Sequence, residues 1–187
     1  MEKLLMAAIT ALAVSLIPLP SEPAPSSIVE VQAHSGIDSE LVDYVQEQVS
    51  ALPDVYEEAF IRLGWSYYVV DWDIATQVFN GMYSSVAGVT LTAPKEIYIE
   101  DRWSAVTIAP VHEFGHFVDY MYSDTNCRHV QEDFMSIYRE EAQNSGFYDT
   151  PMEWFAELFS KVYVSPDEAK QRCPRGYNYI KNLEDTL

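Results

Sequence analysis

Apolar residues follow three different patterns along this chain of 187 residues. The first is a run. Leu4 to Ile17 is almost wholly apolar behind Lys3, and Pro18, Pro20, Pro23 and Pro25 close it. That length suits an export signal and is short for a membrane span, and no later segment approaches the length a span needs. Ser21 to Ser35 is rich in Pro, Ser and Glu and reads as a linker or mature N-terminus. Val31-Gln32-Ala33 fits the small-residue rule for cleavage, whereas proline after Ala24 disfavours cutting there. The division is therefore residues 1–33 as signal and linker and 34–187 as the folded domain.

The second pattern is helical. Leu41, Val42, Tyr44, Val45, Val49 and Leu52 recur at helical spacing behind Asp38-Ser39, which marks a start. Pro53 interrupts, Val55 to Leu63 continues as a second helix, and Gly64 is its stop. The third pattern is β-like and follows at once. Trp65 to Val70 and Val86 to Thr92 are rich in aromatic and β-branched residues, Ala93-Pro94-Lys95 is a turn, and Glu96 to Glu100 alternates polar and apolar. That alternation predicts a half-buried strand with its charged side in water. Helical spacing then returns over Ser104 to Ser123, His129 to Asn144, Pro151 to Val164 and Pro166 to Cys173. Strands followed by helices predict an α+β fold.

Charge narrows the function. With 29 acidic and 11 basic residues the net charge is -18, which argues against nucleic-acid or anionic-membrane binding. His34 to Leu187 is one domain by size and long enough for a substantial core. Cys127 and Cys173 are the only cysteines. In an exported chain they can oxidise, and a bridge would tie the segment after one motif helix to the segment after the other.

The most specific chemistry is His112-Glu113-Phe114-Gly115-His116, an HExxH inside an apolar helix. Two histidines four apart leave one helix face and can grip one metal ion. Glu113 projects about 100° around the axis from His112, within reach of a water on that metal. The rival reading is a pair of surface histidines. Ala109, Val111, Phe114, Phe117, Val118 and Met121 oppose it, because they make the helix apolar nearly all round and hence buried.

A catalytic zinc needs a third protein ligand. The metzincin pattern is excluded, since its Gly and third His positions hold Asp119 and Tyr122. Glu153 and Glu157 remain, four apart on one face of an apolar helix. Thr150 and Glu153 also form a capping box with Pro151 at the first helical position, so Glu153 has a purely structural role open to it. Spacing alone leaves both carboxylates as candidates.

His112 to Asp119 (HEFGHFVD) followed by Glu153 to Phe159 (EWFAELF) resembles the catalytic domain of the anthrax lethal-factor family of zinc peptidases, which includes the Pro-Pro endopeptidases. The hairpin from Val86 to Glu100 matches in character only. The resemblance implies a zincin-like α+β domain with one Zn2+ per chain, held by His112, His116 and Glu153. It implies Glu113 as general base, leaves Glu157 as a group behind the ligands that orients a ligand histidine, and gives Asp119 either a place behind the ligands or a structural role. A tyrosine before the ligand Glu stabilises the oxyanion in that family. Strict spacing places it at Gly146, and Tyr148 is the nearest tyrosine.

The expectation is a secreted, monomeric zinc endopeptidase whose protein or peptide substrate lies extended along the sheet edge, supplied by Val86 to Thr92 or by Glu96 to Glu100. Trp103, Tyr98, Tyr67 and Tyr68 are candidates either for lining that cleft or for the core. The alternative is an exported zincin-like module that binds without catalysis. Retention of His112, Glu113 and His116 argues for the enzyme.

Overall fold

The computed structural model describes residues 28–121, 127–148 and 150–186. The apolar run from Leu4 to Ile17 lies outside them. No helix among the described residues is long and apolar enough to cross a membrane.

A four-stranded sheet forms one layer. Strand β1 (Val31–Ala33) pairs in parallel with β2 (Ser66–Val70), β2 in parallel with β4 (Glu96–Glu100), and β4 antiparallel with β3 (Gly88–Leu91). The order β1-β2-β4-β3 puts β3 on an edge and β4 inside the sheet, so of the two strands proposed for a substrate edge only β3 is free to act as one. Register places Tyr67 and Val69 beside Ile97 and Ile99 on one face, and all four are fully buried.

Helices cover that face. Helix α1 (Ser39–Val49) starts at Asp38, whose carboxylate accepts the Glu40 N–H, and buries Leu41, Val45 and Val49 in i, i+4, i+8 spacing. Helix α2 (Asp54–Arg62) buries Tyr56, Ala59 and Phe60 and stops where Gly64 takes φ +75°. The expected helix from Ser104 is two. A turn, α4 (Trp103–Val106), precedes α5 (Pro110–Tyr120), because Pro110 lacks an N–H and can open a helix but not sit within one. A 3-10 turn (Arg128–Val130) leads to α6 (Glu132–Ser145), then α7 (Pro151–Val164) and α8 (Pro166–Arg172).

Three elements were not evident in the sequence. Strand β1 and the buried Val29 lie upstream of His34, so the fold begins before the expected boundary. A short helix α3 (Ile74–Gln77) covers the far face of the sheet, packing Ile74 with Val70, Val89, Trp72 and Tyr98. Helix α9 (Pro174–Leu183) follows Cys173, its first turn held by Glu141, which accepts the Arg175 and Gly176 N–H groups at 3.0 and 2.9 Å.

The predicted polar side of β4 is also not all wet. Glu100 is buried; it accepts the Ile74 N–H at 2.9 Å and pairs with Arg102 at 2.6 Å. Cys127 and Cys173 are buried thiols and not a disulfide.

Candidate metal centre and cleft

Helices α5 and α7 cross in the core, and their closeness builds the site. A Cβ on Gly115 would lie 3.0 Å from both the Cα and the carbonyl oxygen of Ala156. Only a glycine facing an alanine lets the two backbones approach this far. Phe114 stacks on Phe60 and meets Phe117 and Phe159 edge or face, which fixes the roll of α5 and turns His112 and His116 away from the sheet core.

The two histidines and Glu153 meet there. Glu153 Oε2 lies 3.2 Å from His112 Nε2 and 3.6 Å from His116 Nε2. One donor atom from each residue falls within 4.8 Å of the others. Two zinc–ligand bonds of about 2.0–2.1 Å at a tetrahedral angle end about 3.4 Å apart. The two separations to Glu153 bracket that value, and with both histidine donors within 4.8 Å the residues fit a zinc ion. Glu153 also keeps its capping geometry, its N–H donating to Thr150 Oγ1 at 3.3 Å. The Thr150 cap and the convergence on the histidines coexist, since the cap uses the Glu153 main chain and the histidines take the carboxylate that a full capping box would turn back to the Thr150 N–H.

Glu157 stands behind. Its Oε2 is 3.4 Å from His112 Nδ1, and Lys161 lies 3.9 Å from its other oxygen. Burial pulls the His112 pKa down, but hydrogen bonds to Glu153 and Glu157 and the charge of Glu113 outweigh it and raise the value to about 9. Hydrogen bonds to His112 and His116 hold the Glu153 carboxyl well below the usual range, and the bond to His112 lowers Glu157 likewise.

Asp119 does not back a metal-site histidine. It is fully buried and accepts the His129 main-chain N–H at 2.7 Å, with its other oxygen 2.5 Å from His129 Nδ1. His129 is thus tied to α5 and anchors the 3-10 turn. The buried Nδ1 of His116 has no hydrogen-bond partner among the described residues.

Glu113 is buried against β3. Thr90 Oγ1 lies 2.8 Å from its Oε2 and 2.9 Å from its main-chain oxygen. A Cβ on Gly88 would come within 2.7 Å of Glu113 Cγ, so the strand leaves room for the carboxylate by lacking a side chain there. Tyr148 is half-exposed, its ring 5.7 Å from that of His112. Burial, then the charges of Glu157, Glu153 and Glu113, raises its phenol pKa.

These groups line a cleft of about 800 Å³ between the β3 edge, the start of α5 and the start of α7. Phe79, Tyr83, Ile108, Tyr120 and Met152 supply its apolar walls. Tyr67 instead sits in the core with its hydroxyl on Pro110 O at 2.9 Å, Tyr68 stacks on Tyr98 across the far face, and Trp103 packs on Tyr44. Thr90, Gly88 and Gly115 are the residues that sequence reasoning missed. The signal for Gly115 was present, as a glycine between the two histidines on an otherwise bulky helix.

Residues 64–183, well over half of the chain, match the family described as "Anthrax toxin lethal factor, N- and C-terminal domain". No curated protein matches the chain. Among solved structures, the Pro-Pro endopeptidase from Paenibacillus alvei superposes with a TM-score of 0.66 at 18% identity, over 82% of this chain and 97% of that one. The α+β architecture is therefore zincin-like, and the chain belongs to the anthrax toxin lethal factor family.

Proposed function

We propose that this protein is an exported zinc-dependent endopeptidase, with one zinc ion per chain held by His112, His116 and Glu153. The convergence of those three side chains from two helices carries the proposal. Family and fold are those of metallopeptidases, and the solved relative is a Pro-Pro endopeptidase. Export rests on the Leu4 to Ile17 run alone.

Zinc bound there would act as a Lewis acid and bring a water's pKa toward 7. The chain supplies the rest. Glu113 takes the proton as water attacks the peptide carbonyl and returns it to the leaving amine. Thr90 fixes the carboxylate rotamer for both transfers. Tyr148, kept protonated by its raised pKa, donates its O–H to the oxygen on which charge develops. Glu157 accepts from His112 Nδ1, which directs Nε2 toward the metal position. The outer edge of β3 pairs with an extended substrate, and the apolar walls take its side chains.

The test is metal content and cleavage of a mixed peptide library that includes Pro-Pro sequences, for wild type, Glu113→Gln and Glu153→Ala. One zinc per chain, cleavage abolished in Glu113→Gln, and zinc lost in Glu153→Ala are expected. Zinc without turnover would select the binding module instead, and a wild type without zinc would end both readings.

A further inference from the structure

We infer that Ser145 is a positioning residue, which holds the loop bearing Tyr148 in register with the helix bearing Glu153. The inference rests on the peptidase reading above and identifies what places its phenol. Ser145 ends α6 and is fully buried. Its Oγ donates to Ala142 O at 2.7 Å and accepts two N–H groups, from Trp154 Nε1 at 3.0 Å and from the Phe147 main chain at 3.1 Å. One donor and two lone pairs are thereby all used. Its carbonyl accepts from Arg172 Nη1 at 2.8 Å, which adds α8 to the junction.

Back-bonding to Ala142 and satisfying a buried indole would be a structural role. The Phe147 bond goes beyond it. Gly146 turns the chain out of α6 with φ +72°, and the next N–H returns to the same oxygen that holds Trp154. Phe147 immediately precedes Tyr148, and Trp154 immediately follows Glu153. A single hydroxyl therefore joins the neighbours of the phenol and of the proposed third ligand.

Packing does not otherwise fix Tyr148, which is 56% exposed. Its placement 5.7 Å from His112 depends on where the backbone leaves α6. Sites of this kind tolerate about 0.5 Å of drift, and a misplacement of about 1 Å costs on the order of 100-fold in rate. A loop released from Ser145 exceeds that tolerance.

The experiment uses the full chain loaded with zinc, comparing Ser145→Ala, Trp154→Phe and Tyr148→Phe, alone and combined. Zinc content, kcat and KM on the best library peptide, and amide exchange of Phe147 with and without zinc are measured. Ser145→Ala should keep one zinc per chain and a KM within about 2-fold, lose about 10-fold or more in kcat, and exchange its Phe147 amide about 10-fold faster. Trp154→Phe keeps an aromatic ring in the core, at some loss of buried volume, and removes the hydrogen bond that ties Ser145 to α7. Its kcat should also fall, and it decides the matter if Ser145→Ala fails to fold. Neither change should lower kcat further in the Tyr148→Phe background. An active wild type whose kcat is unchanged by these variants, or losses that multiply with Tyr148→Phe, would overturn the inference alone. A wild type that cuts nothing removes the peptidase reading and this one with it.

Discussion

Gly115 lies against Ala156 so closely that a Cβ would meet backbone at 3.0 Å. This contact between a residue inside the HExxH and one inside the second motif sets how near Glu153 comes to the histidines. Replacing Gly115 by alanine gains about 1 kcal/mol of helix propensity and incurs about 1–3 kcal/mol of overpacking. The atoms in the way are main chain and cannot swing aside, so the overpacking wins. We expect Gly115→Ala to lose about 1 kcal/mol in urea unfolding and several-fold in zinc affinity, and Gly115→Val to lose more of both. Unchanged zinc affinity in Gly115→Val would show that the helix spacing does not set the site.

Glu113 depends on a gap and a hydroxyl, both on β3. Gly88→Ala puts a methyl within 2.7 Å of Glu113 Cγ and 2.9 Å of Ile99 Cδ1. The carboxylate, as the freer of the two, is the group displaced. Thr90→Val keeps the shape and removes the hydrogen bond at 2.8 Å. Each variant should bind zinc normally and lose about 10-fold or more in kcat. Loss of zinc in either would mean that β3 shapes the ligand set and not the base.

The histidine pair, Glu113 and both carboxylates were legible in the sequence because helical spacing alone places them. Whether Glu153 or Glu157 faces the histidines depends on the roll of α7, which is a tertiary property that Phe155 and Phe159 decide by packing into the core. The Pro-started α7 was readable, and so was Asp38 as the start of α1, whereas the break before Pro110 that starts α5 was missed. Strand β1 was hidden, since three residues in a Pro- and Ser-rich stretch carry no periodicity. The inward turn of Glu100 was hidden too, because alternation assigns it to water while Ile74 N–H and Arg102 assign it to the interior.

Glu157 meets His112 at Nδ1, 3.4 Å away, on the opposite ring nitrogen from the one beside Glu153. A group that only orients a ligand weakens metal binding without abolishing it. Glu157→Ala is expected to reduce zinc affinity about 10–100-fold, whereas Glu153→Ala removes binding at micromolar zinc. Equal losses in a competitive chelator titration would contradict the assignment of distinct roles.

Cys173 is fully buried, and burial pushes its thiol pKa up to about 12 from an ordinary value of 9.0. The fold favours the neutral thiol, so this contribution to stability is complete below about pH 9 and is lost as pH rises toward 12. At pH 8 a maleimide should leave Cys173 unlabelled in the native protein, and both cysteines should react in urea without reductant. Two unreactive cysteines in urea would establish the bridge that the sequence suggested and the structure lacks.

The N-terminal boundary carries the last prediction. Val29 and Val31 are 2% and 7% exposed, and β1 adds its main chain to β2. Gln46 accepts the Val31 N–H and donates to Val29 O, while the buried Glu57 accepts the Val29 N–H at 2.8 Å. Burying two valines contributes about 3–6 kcal/mol, a large share of the 5–15 kcal/mol typical of a domain. A protein starting at His34 also bares β2 as an edge and leaves Glu57 without its donor. It should melt about 10 °C or more below one starting at Ile28, or aggregate. Cleavage after Ala33 would therefore discard part of the fold. N-terminal sequencing of the protein recovered from the culture medium should read a start upstream of Val29. A mature chain beginning at His34 with undiminished stability would show that β1 is dispensable.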